Sequence, residues 1–105
     1  QCEYFAMEGL SHLLNTVTLI KRALNPSIRI EGILLTMFDQ RNRLSHQVAE
    51  DIRGHFKEQV FESVIPRNVK LSECTSFGKP ILLYDIKSRG AVGYLDLAQE
   101  LMARH

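Results

Sequence analysis

The sequence lacks several features that would place it in a specialised class of protein. Its two cysteines, Cys2 and Cys74, lie far apart, so they indicate neither a disulfide framework nor a zinc site. We expect both to be reduced packing residues. No apolar run approaches the roughly 20 residues of a membrane-spanning helix, and no secretory leader opens the chain. These absences predict a cytoplasmic protein that does not associate with a membrane.

The sequence also lacks an excess of charge of one sign. Its formal net charge is +1, whereas dedicated nucleic-acid-binding domains are strongly basic. The cations cluster in the second half of the chain, at Lys57, Arg67, Lys70, Lys79, Lys87 and Arg89. The residues alone favour a solvated surface here, and the alternative is non-specific contact with DNA phosphates. Since no aromatic residues alternate with these cations, duplex DNA is the better candidate than a single strand.

Catalytic signatures are absent as well. The chain contains no G-x-x-x-x-G-K-[ST] phosphate loop, no G-x-G-x-x-G motif and no H-E-x-x-H motif. His12, His46 and His55 lie at helical positions without a neighbouring cluster of carboxylates or cysteines. We therefore expect solvated or packing roles for these histidines, and the chain offers no candidate catalytic residue or metal ligand.

What the sequence does contain is an alternation of helical and strand patterns. Apolar residues at three- and four-residue intervals predict a helix over the first 24 residues. The expected buried face of that helix is Leu10, Leu13, Leu14, Val17, Ile20 and Leu24. The next segments are predicted as a strand over 28–38, a helix over 44–57, a strand over 60–65 and a short helix over 70–77. The continuous apolar run Ile33–Leu35 is typical of a parallel strand that is covered on both faces.

The last part of the chain is predicted from shorter signals. Ile81–Tyr84 fits a strand and a packed loop equally well, and Ser88 is the expected N-cap of a final helix. The expected buried stripe of that helix is Ala91, Leu95, Ala98, Leu101 and Met102. The order α-β-α-β-α-α predicts an α/β fold with parallel strands flanked by helices. Because Ile33–Leu35 calls for a neighbour on both sides, we expect residues 1–105 to be half of one domain whose sheet continues elsewhere.

Pro66-Arg67-Asn68 follows the second strand and has two interpretations. In the first, Pro66 ends the strand pairing and Asn68 caps the next helix. In the second, these residues form a ligand edge, because open α/β sheets bind ligands at the carboxyl ends of their strands. A proline ring and main-chain carbonyls can hold a flat purine base, and Thr36 and Met37 end the other strand at the same edge. The residues alone favour the strand exit, with Met37 as core filler.

Four stretches together resemble the carboxyl-terminal half of a ParA-type partition ATPase of the Soj branch. They are Cys2–Leu10, Leu34–Asp39, Ile65–Glu73, and Tyr84–Asp85 with Ser88–Ala91, in the family's order over essentially all 105 residues. The membrane-binding amphipathic tail of the related MinD proteins is missing. The resemblance implies the carboxyl-terminal half of a P-loop NTPase fold. Its deviant phosphate loop, catalytic aspartate and magnesium ligands lie amino-terminal to Gln1, so the 105 residues alone are not expected to hydrolyse ATP.

The resemblance also implies positions for three sites. The adenine-side wall of the ATP site, formed largely by main chain, corresponds to Thr36, Met37, Pro66, Arg67 and Asn68. The segment Glu3–Gly9 corresponds to part of a nucleotide-dependent dimer face. Residues for non-specific DNA binding by the dimer correspond to Lys57, Lys87 and Arg89.

The mechanism that the resemblance implies is a DNA-binding switch. ATP with magnesium closes a homodimer, whose two basic patches then bind duplex DNA on the nucleoid. A ParB-type centromere-binding partner stimulates hydrolysis, which dissolves the dimer and releases DNA. We expect neither ATP nor magnesium to bind tightly to residues 1–105 alone. The alternative is a truncated, non-catalytic interaction module that pairs with an intact ATPase or with itself, since its sheet edges need covering.

Overall fold

The computed structural model describes the whole chain, Gln1–His105. Its elements are α1 (Ala6–Ala23), β1 (Ile33–Phe38), α2 (Arg43–Phe56), a 3-10 turn (Lys57–Gln59), β2 (Val60–Pro66), α3 (Val69–Ser76), α4 (Ile81–Tyr84) and α5 (Arg89–Ala103). β1 and β2 pair in parallel as a two-stranded sheet with helices packed on it, which confirms the predicted α/β fold. None of the helices combines the length and the apolar character needed to span a bilayer.

Three helices begin at a side-chain cap. The side chains of Asn42, Asn68 and Ser88 accept hydrogen bonds from backbone N–H groups in the first turns of α2, α3 and α5, and all three cap residues are extended. Such caps satisfy backbone donors that would otherwise lack a partner, and each stabilises a helix by about 1 kcal/mol. The predicted caps at Asn68 and Ser88 are confirmed.

The first strand is shorter than predicted. It begins at Ile33, and residues 28–32 are not part of it. Ile33 lies opposite Val60, the first residue of β2, so residues before Ile33 have no strand to pair with. Gly32 passes close under the ring of Phe61, since a Cβ built on this glycine would lie 2.6 Å from Phe61 Cε2.

Both predictions for Ile81–Tyr84 are wrong, because this segment is a short helix. Pro80 precedes it, and the Pro80 carbonyl accepts hydrogen bonds from the N–H groups of Leu83 and Tyr84. Ile81 is buried in a small cluster with Cys74 and Ala91. The turn therefore buries one apolar side chain against α3 and α5 and pairs with no strand.

The buried face of α5 differs from the predicted stripe. Ala91 is fully buried, but Leu95, Ala98 and Met102 are exposed and Leu101 is only half-buried. The helix instead approaches its neighbours through glycines: a Cβ on Gly90 would lie 2.5 Å from Leu71 Cγ, and one on Gly93 would lie 3.0 Å from Pro66 Cδ. Apolar periodicity counts large apolar side chains and overlooks glycines that allow a close helix contact. The predicted buried stripe therefore lies on a different side of α5 from the observed one.

The core is small and lies between α2 and the sheet. Its buried members are Cys2, Leu35, Val48, Ile52 and Val60. Both cysteines are free and buried, as predicted. Fourteen of the 105 residues are buried, and none of them belongs to α1, so the predicted buried face of that helix is at most half-buried. Of the residues predicted for that face, Leu13 and Leu24 are 58% and 80% exposed.

An apolar groove of about 840 Å³ separates α1 from β1. Leu10, Leu14 and Val17 line it from the helix, and Ile33 and Leu34 line it from the strand. The edge of β1 that faces away from β2 is met only at Thr36, whose carbonyl accepts from the N–H of Cys2 at 3.0 Å. The sequence predicts that Ile33–Leu35 is covered on both faces. Of these three residues only Leu35 is fully buried, at 2% exposed.

Candidate functional site

The two strands end side by side and open on one cleft. Phe38 lies opposite Pro66 in the sheet register, and the N–H of Arg67 donates to the Phe38 carbonyl at 2.9 Å. The amino-terminal part of α5 closes the third side of the cleft, which has a volume of about 1010 Å³. Ligands of open α/β folds bind at this position, beyond the carboxyl ends of parallel strands.

The carboxyl end of β1 is bulged at Thr36 and Met37. Between the pairs Leu35↔Val64 and Phe38↔Pro66, β1 advances three residues while β2 advances two. Met37 has a φ of 53°, which is uncommon for a side chain other than glycine. Bulges of this kind re-aim side chains near strand ends and are frequent beside binding sites. Thr36 and Met37 are half-buried, and neither lines the cleft itself.

The stretch Pro66-Arg67-Asn68 divides between the two interpretations that the sequence left open. Pro66 is the last residue of β2, and the Asn68 side chain accepts from the N–H of Lys70 at 2.9 Å as the cap of α3. Pro66 and Arg67 nevertheless line the cleft, whereas Asn68 does not. The strand exit is thus confirmed, and a contact with a purine base stays a prediction for the same stretch.

Arg67 connects the cleft with the segment before α1. Its Nη1 lies 3.8 Å from Glu3 Oε1, and the two side chains are 63% and 48% exposed. Exposed ion pairs contribute about 0–1 kcal/mol, so this contact does little for stability. It does bring the predicted dimer-face segment, Glu3–Gly9, next to the predicted nucleotide edge.

Lys87 and Arg89 lie together on the cleft, on the connection into α5 and its first turn. The N–H of Lys87 donates to Asp85 Oδ1 at 3.2 Å, and Arg89 Nη2 donates to Gln40 Oε1 at 3.3 Å. Lys57 lies elsewhere, in the 3-10 turn that precedes β2. A strand of seven residues spans about 20 Å, so the structure joins two of the three predicted DNA-binding cations at the carboxyl edge and leaves the third at the opposite edge.

Arg41 is a cleft residue that the sequence reasoning missed. The loop that carries it is fixed by two hydrogen bonds: Asp39 N donates to the buried Ser45 Oγ at 3.2 Å, and Arg41 N donates to Asp39 Oδ1 at 3.0 Å. With Arg67, Lys87 and Arg89 it gives the cleft four cations, against the carboxylates of Asp39 and Asp96. Its position directly after the first strand was the signal that would have found it.

No cysteine, serine or histidine lines the cleft, and Cys2 lies outside it in the core. Burial raises the pKa of the Cys2 thiol above its ordinary value, and a protonated thiol is a poor nucleophile. The chain brings together no group of three or more His, Cys, Asp or Glu side chains suited to a metal ion. What the cleft combines is a proline ring, an aromatic ring and several cations, which suits an anionic ligand with a flat apolar part.

Comparison with known proteins identifies relatives over the whole chain. The model of the CobQ/CobB/MinD/ParA nucleotide binding domain family matches residues 5–81. The chromosome partitioning protein ParA of Myxococcus xanthus is 64% identical over 104 residues, which is 99% of this chain and 37% of that protein. The ParA protein of Caulobacter vibrioides is 54% identical over 99% of this chain and 39% of its own length.

A third relative carries the name Soj. The sporulation initiation inhibitor protein Soj of Bacillus subtilis is 58% identical over 103 residues, which is 98% of this chain and 41% of that protein. The chain thus spans about two fifths of the length of the curated relatives that it matches.

Proposed function

Because the chain belongs to the CobQ/CobB/MinD/ParA family of nucleotide-binding domains, we propose that it is part of an ATPase that partitions chromosomal or plasmid DNA. The observation that carries this proposal is the 64% identity with a chromosome partitioning ParA protein over 99% of the chain. In this proposal residues 1–105 are the carboxyl-terminal part of a single ATPase domain. They supply the base side of the ATP site and part of the DNA-binding surface, on the nucleoid.

The adenine of ATP is proposed to lie at the carboxyl ends of β1 and β2. The supporting observations are the cleft at this edge and the Pro66 ring in its wall. In the proposed site Thr36, Met37 and Asn68 contribute main chain behind Pro66 and Arg67. The residues of this chain include no phosphate loop and no carboxylate cluster for magnesium, so they hold and orient the base while other parts of the protein perform the hydrolysis.

Duplex DNA is proposed to bind the cations of the same edge. Lys87 and Arg89 are the main candidates because they lie together, with Arg41 nearby. Asp39 and Asp96 also line the cleft, and their negative charge keeps the attraction of one copy for phosphate modest. A homodimer closed by ATP would join two such surfaces, and a ParB-type partner that triggers hydrolysis would separate them.

The test is a DNA-binding measurement on the full-length protein with ATP. We expect Lys87→Ala with Arg89→Ala to weaken binding to duplexes of unrelated sequence equally. The slope of log affinity against log salt concentration should fall by about 0.9 for each lost phosphate contact. Lys57→Ala tests the isolated cation, and Lys21→Ala with Arg22→Ala on α1 is the matched control. Unchanged binding by the Lys87–Arg89 double variant would contradict the assignment of these two residues.

The second candidate function is a non-catalytic interaction module that pairs with an intact ATPase or with itself. The observation that favours it is the open apolar groove between α1 and β1, which a partner would cover. The reading frame upstream of Gln1 separates the two functions. A glycine-rich loop with a lysine encoded there would exclude the module, and its absence would exclude the ATPase.

A further inference from the structure

A second cavity, here called the basic cavity, lies at the end of the sheet opposite the strand-end cleft. It is bounded by the last turns of α1, the connection from α1 to β1, and Gln59, the residue before β2. Its volume is about 880 Å³, which lies within the range of ligand pockets. A strand of seven residues spans about 20 Å, so the basic cavity is separate from the proposed ATP and DNA sites. The lining residues that define it here are Leu14, Val17, Lys21, Arg22, Ile28 and Arg29.

The floor of the basic cavity is apolar. Leu14 and Val17 lie about one helical turn apart on α1, and both are half-buried. Helix α1 ends before Asn25-Pro26, because a proline disfavours helical geometry in the residue before it. The chain then turns, with the N–H of Ile28 donating to the Asn25 carbonyl at 3.2 Å, and the half-buried Ile28 joins the floor. A ligand that fills this cavity therefore needs an apolar part.

Three cations line the basic cavity, and no carboxylate does. They are Lys21 and Arg22 in the last turn of α1 and Arg29 in the connection that follows. All three are exposed, and the ion pairs of the chain involve none of them. Glu31, the carboxylate nearest to Arg29 in sequence, pairs with His105 instead. The cavity thus keeps an uncompensated positive charge, unlike the strand-end cleft, which two aspartates also line.

The end of α1 accounts for only part of this positive charge. Cations in the last turn of a helix interact favourably with its carbonyl end, which explains Lys21 and Arg22 without a ligand. Arg29 lies outside the helix and lines the same cavity from another segment. Like charges around one cavity repel each other, and an anionic ligand relieves that repulsion.

An apolar floor beneath three cations favours one class of anionic ligand. A DNA duplex presents mainly charged phosphates and would leave the floor uncovered. A bilayer surface is flat, so it does not reach half-buried side chains at the bottom of a cavity. An amphipathic peptide carries carboxylates beside apolar side chains, and it can contact floor and rim together as helices do in apolar grooves.

We propose that the basic cavity is a docking site for an acidic amphipathic segment of a partner protein. Apolar side chains of this segment cover the floor, and its carboxylates pair with Lys21, Arg22 and Arg29. The charge complementarity is complete, because no carboxylate of the cavity opposes the incoming segment. This docking site is independent of the proposed function, since the ATP and DNA sites lie at the other end of the sheet.

A fluorescent synthetic peptide of leucine and glutamate, patterned as an amphipathic helix, tests the docking site. Fluorescence anisotropy with the full-length protein should show saturable binding. Lys21→Ala with Arg22→Ala should weaken it by about three- to tenfold, as expected when exposed ion pairs are lost. Ile28→Ser should also weaken it, although every cation stays in place. Arg43→Ala with Lys79→Ala removes two exposed cations outside the cavity; it is the matched control and should bind like the unmodified protein.

Further probes identify the occupant of the cavity. A peptide with serine in place of leucine should bind much more weakly, and equal binding would overturn the role of the apolar floor. Equal binding of the leucine–glutamate peptide to the Lys21–Arg22 variant and to the unmodified protein would overturn the docking site. Two other results would overturn the acidic partner segment. One is that the same variant binds duplex DNA or anionic phospholipid vesicles more weakly. The other is that it abolishes a self-association seen by sedimentation without ATP, since the occupant is then a second copy.

Discussion

At the scale of single residues, glycine positions control how closely α5 approaches the strand-end cleft. Gly93 lies where an added Cβ would be 3.0 Å from Pro66 Cδ and 3.2 Å from the Val64 carbonyl oxygen, whereas a Cβ on Gly54 would meet nothing within 4 Å. Both residues are in helices, so both cost helix propensity relative to alanine. Only Gly93 has a packing reason to be glycine.

This contrast gives a matched pair of substitutions. Gly54→Ala should raise the free energy of unfolding by about 0.5–1 kcal/mol, because alanine is the better helix former. Gly93→Ala should lower it by about 1–3 kcal/mol, because the new methyl group presses on a backbone carbonyl that cannot move away. Urea denaturation of the two variants measures the difference. Equal stabilisation by both would show that α5 does not approach β2 as closely as described.

Residues whose role is local could be predicted from the sequence. Ser88 and Asn68 are recognisable caps because a cap needs only the residue and the helix that follows it. The Gly93 contact could not be found in this way, because it depends on which element packs across the sheet end. The bulges that place Met37 at a positive φ and aim two N–H groups at Glu100 leave no pattern in the apolar periodicity.

At the scale of elements, the docking of α5 on β2 depends on the ionised form of Glu100. Burial alone would raise the pKa of this carboxyl, but the hydrogen bonds from the N–H groups of Ser63 and Glu62 outweigh it, and the pKa lies below its ordinary value of 4.5. The charged groups nearby are Arg104, which pairs with Glu100, and Arg53 of α2, which donates to the Glu62 carbonyl.

The sign of this shift predicts how stability depends on pH. A carboxyl whose pKa is lower in the folded than in the unfolded chain stabilises the fold above the unfolded value, and it loses that contribution as the pH falls through the folded value. The stability of the unmodified chain should therefore decrease below about pH 4.5 more steeply than that of Glu100→Gln. Denaturation curves at a series of pH values measure this, with Glu50→Gln on the exposed side of α2 as control. Parallel curves for the chain and Glu100→Gln would contradict the prediction.

The order of helices and strands could be predicted from the sequence, but the residues at which they begin and end could not. Apolar spacing correctly predicted the elements α1, α2 and β2, and the alternation of helices and strands correctly predicted the parallel sheet. Apolar spacing failed at Ile28–Gly32 and at Ile81–Tyr84, where apolar residues have no strand to pair with. In the first case the partner strand begins only at Val60, and in the second the chain turns after Pro80 and buries Ile81 against Cys74.

At the scale of the whole molecule, the chain is a family member with one open side. It spans about two fifths of the length of its curated relatives, and the groove between α1 and β1 remains open. The cleft at the strand ends is instead lined by four elements of this chain, β1, β2, α3 and α5. In the proposed function the cleft receives the base of ATP.

The most direct test of the central claim is to locate the adenine. Full-length protein irradiated with 2-azido-ATP should be labelled in the peptides that contain Pro66–Asn68 or Thr36–Phe38, because the reactive group is on the base. Excess unmodified ATP should suppress the label. Suppressible label that appears only in peptides outside the strand ends of β1 and β2 would contradict the assignment of this edge as the adenine side of the ATP site.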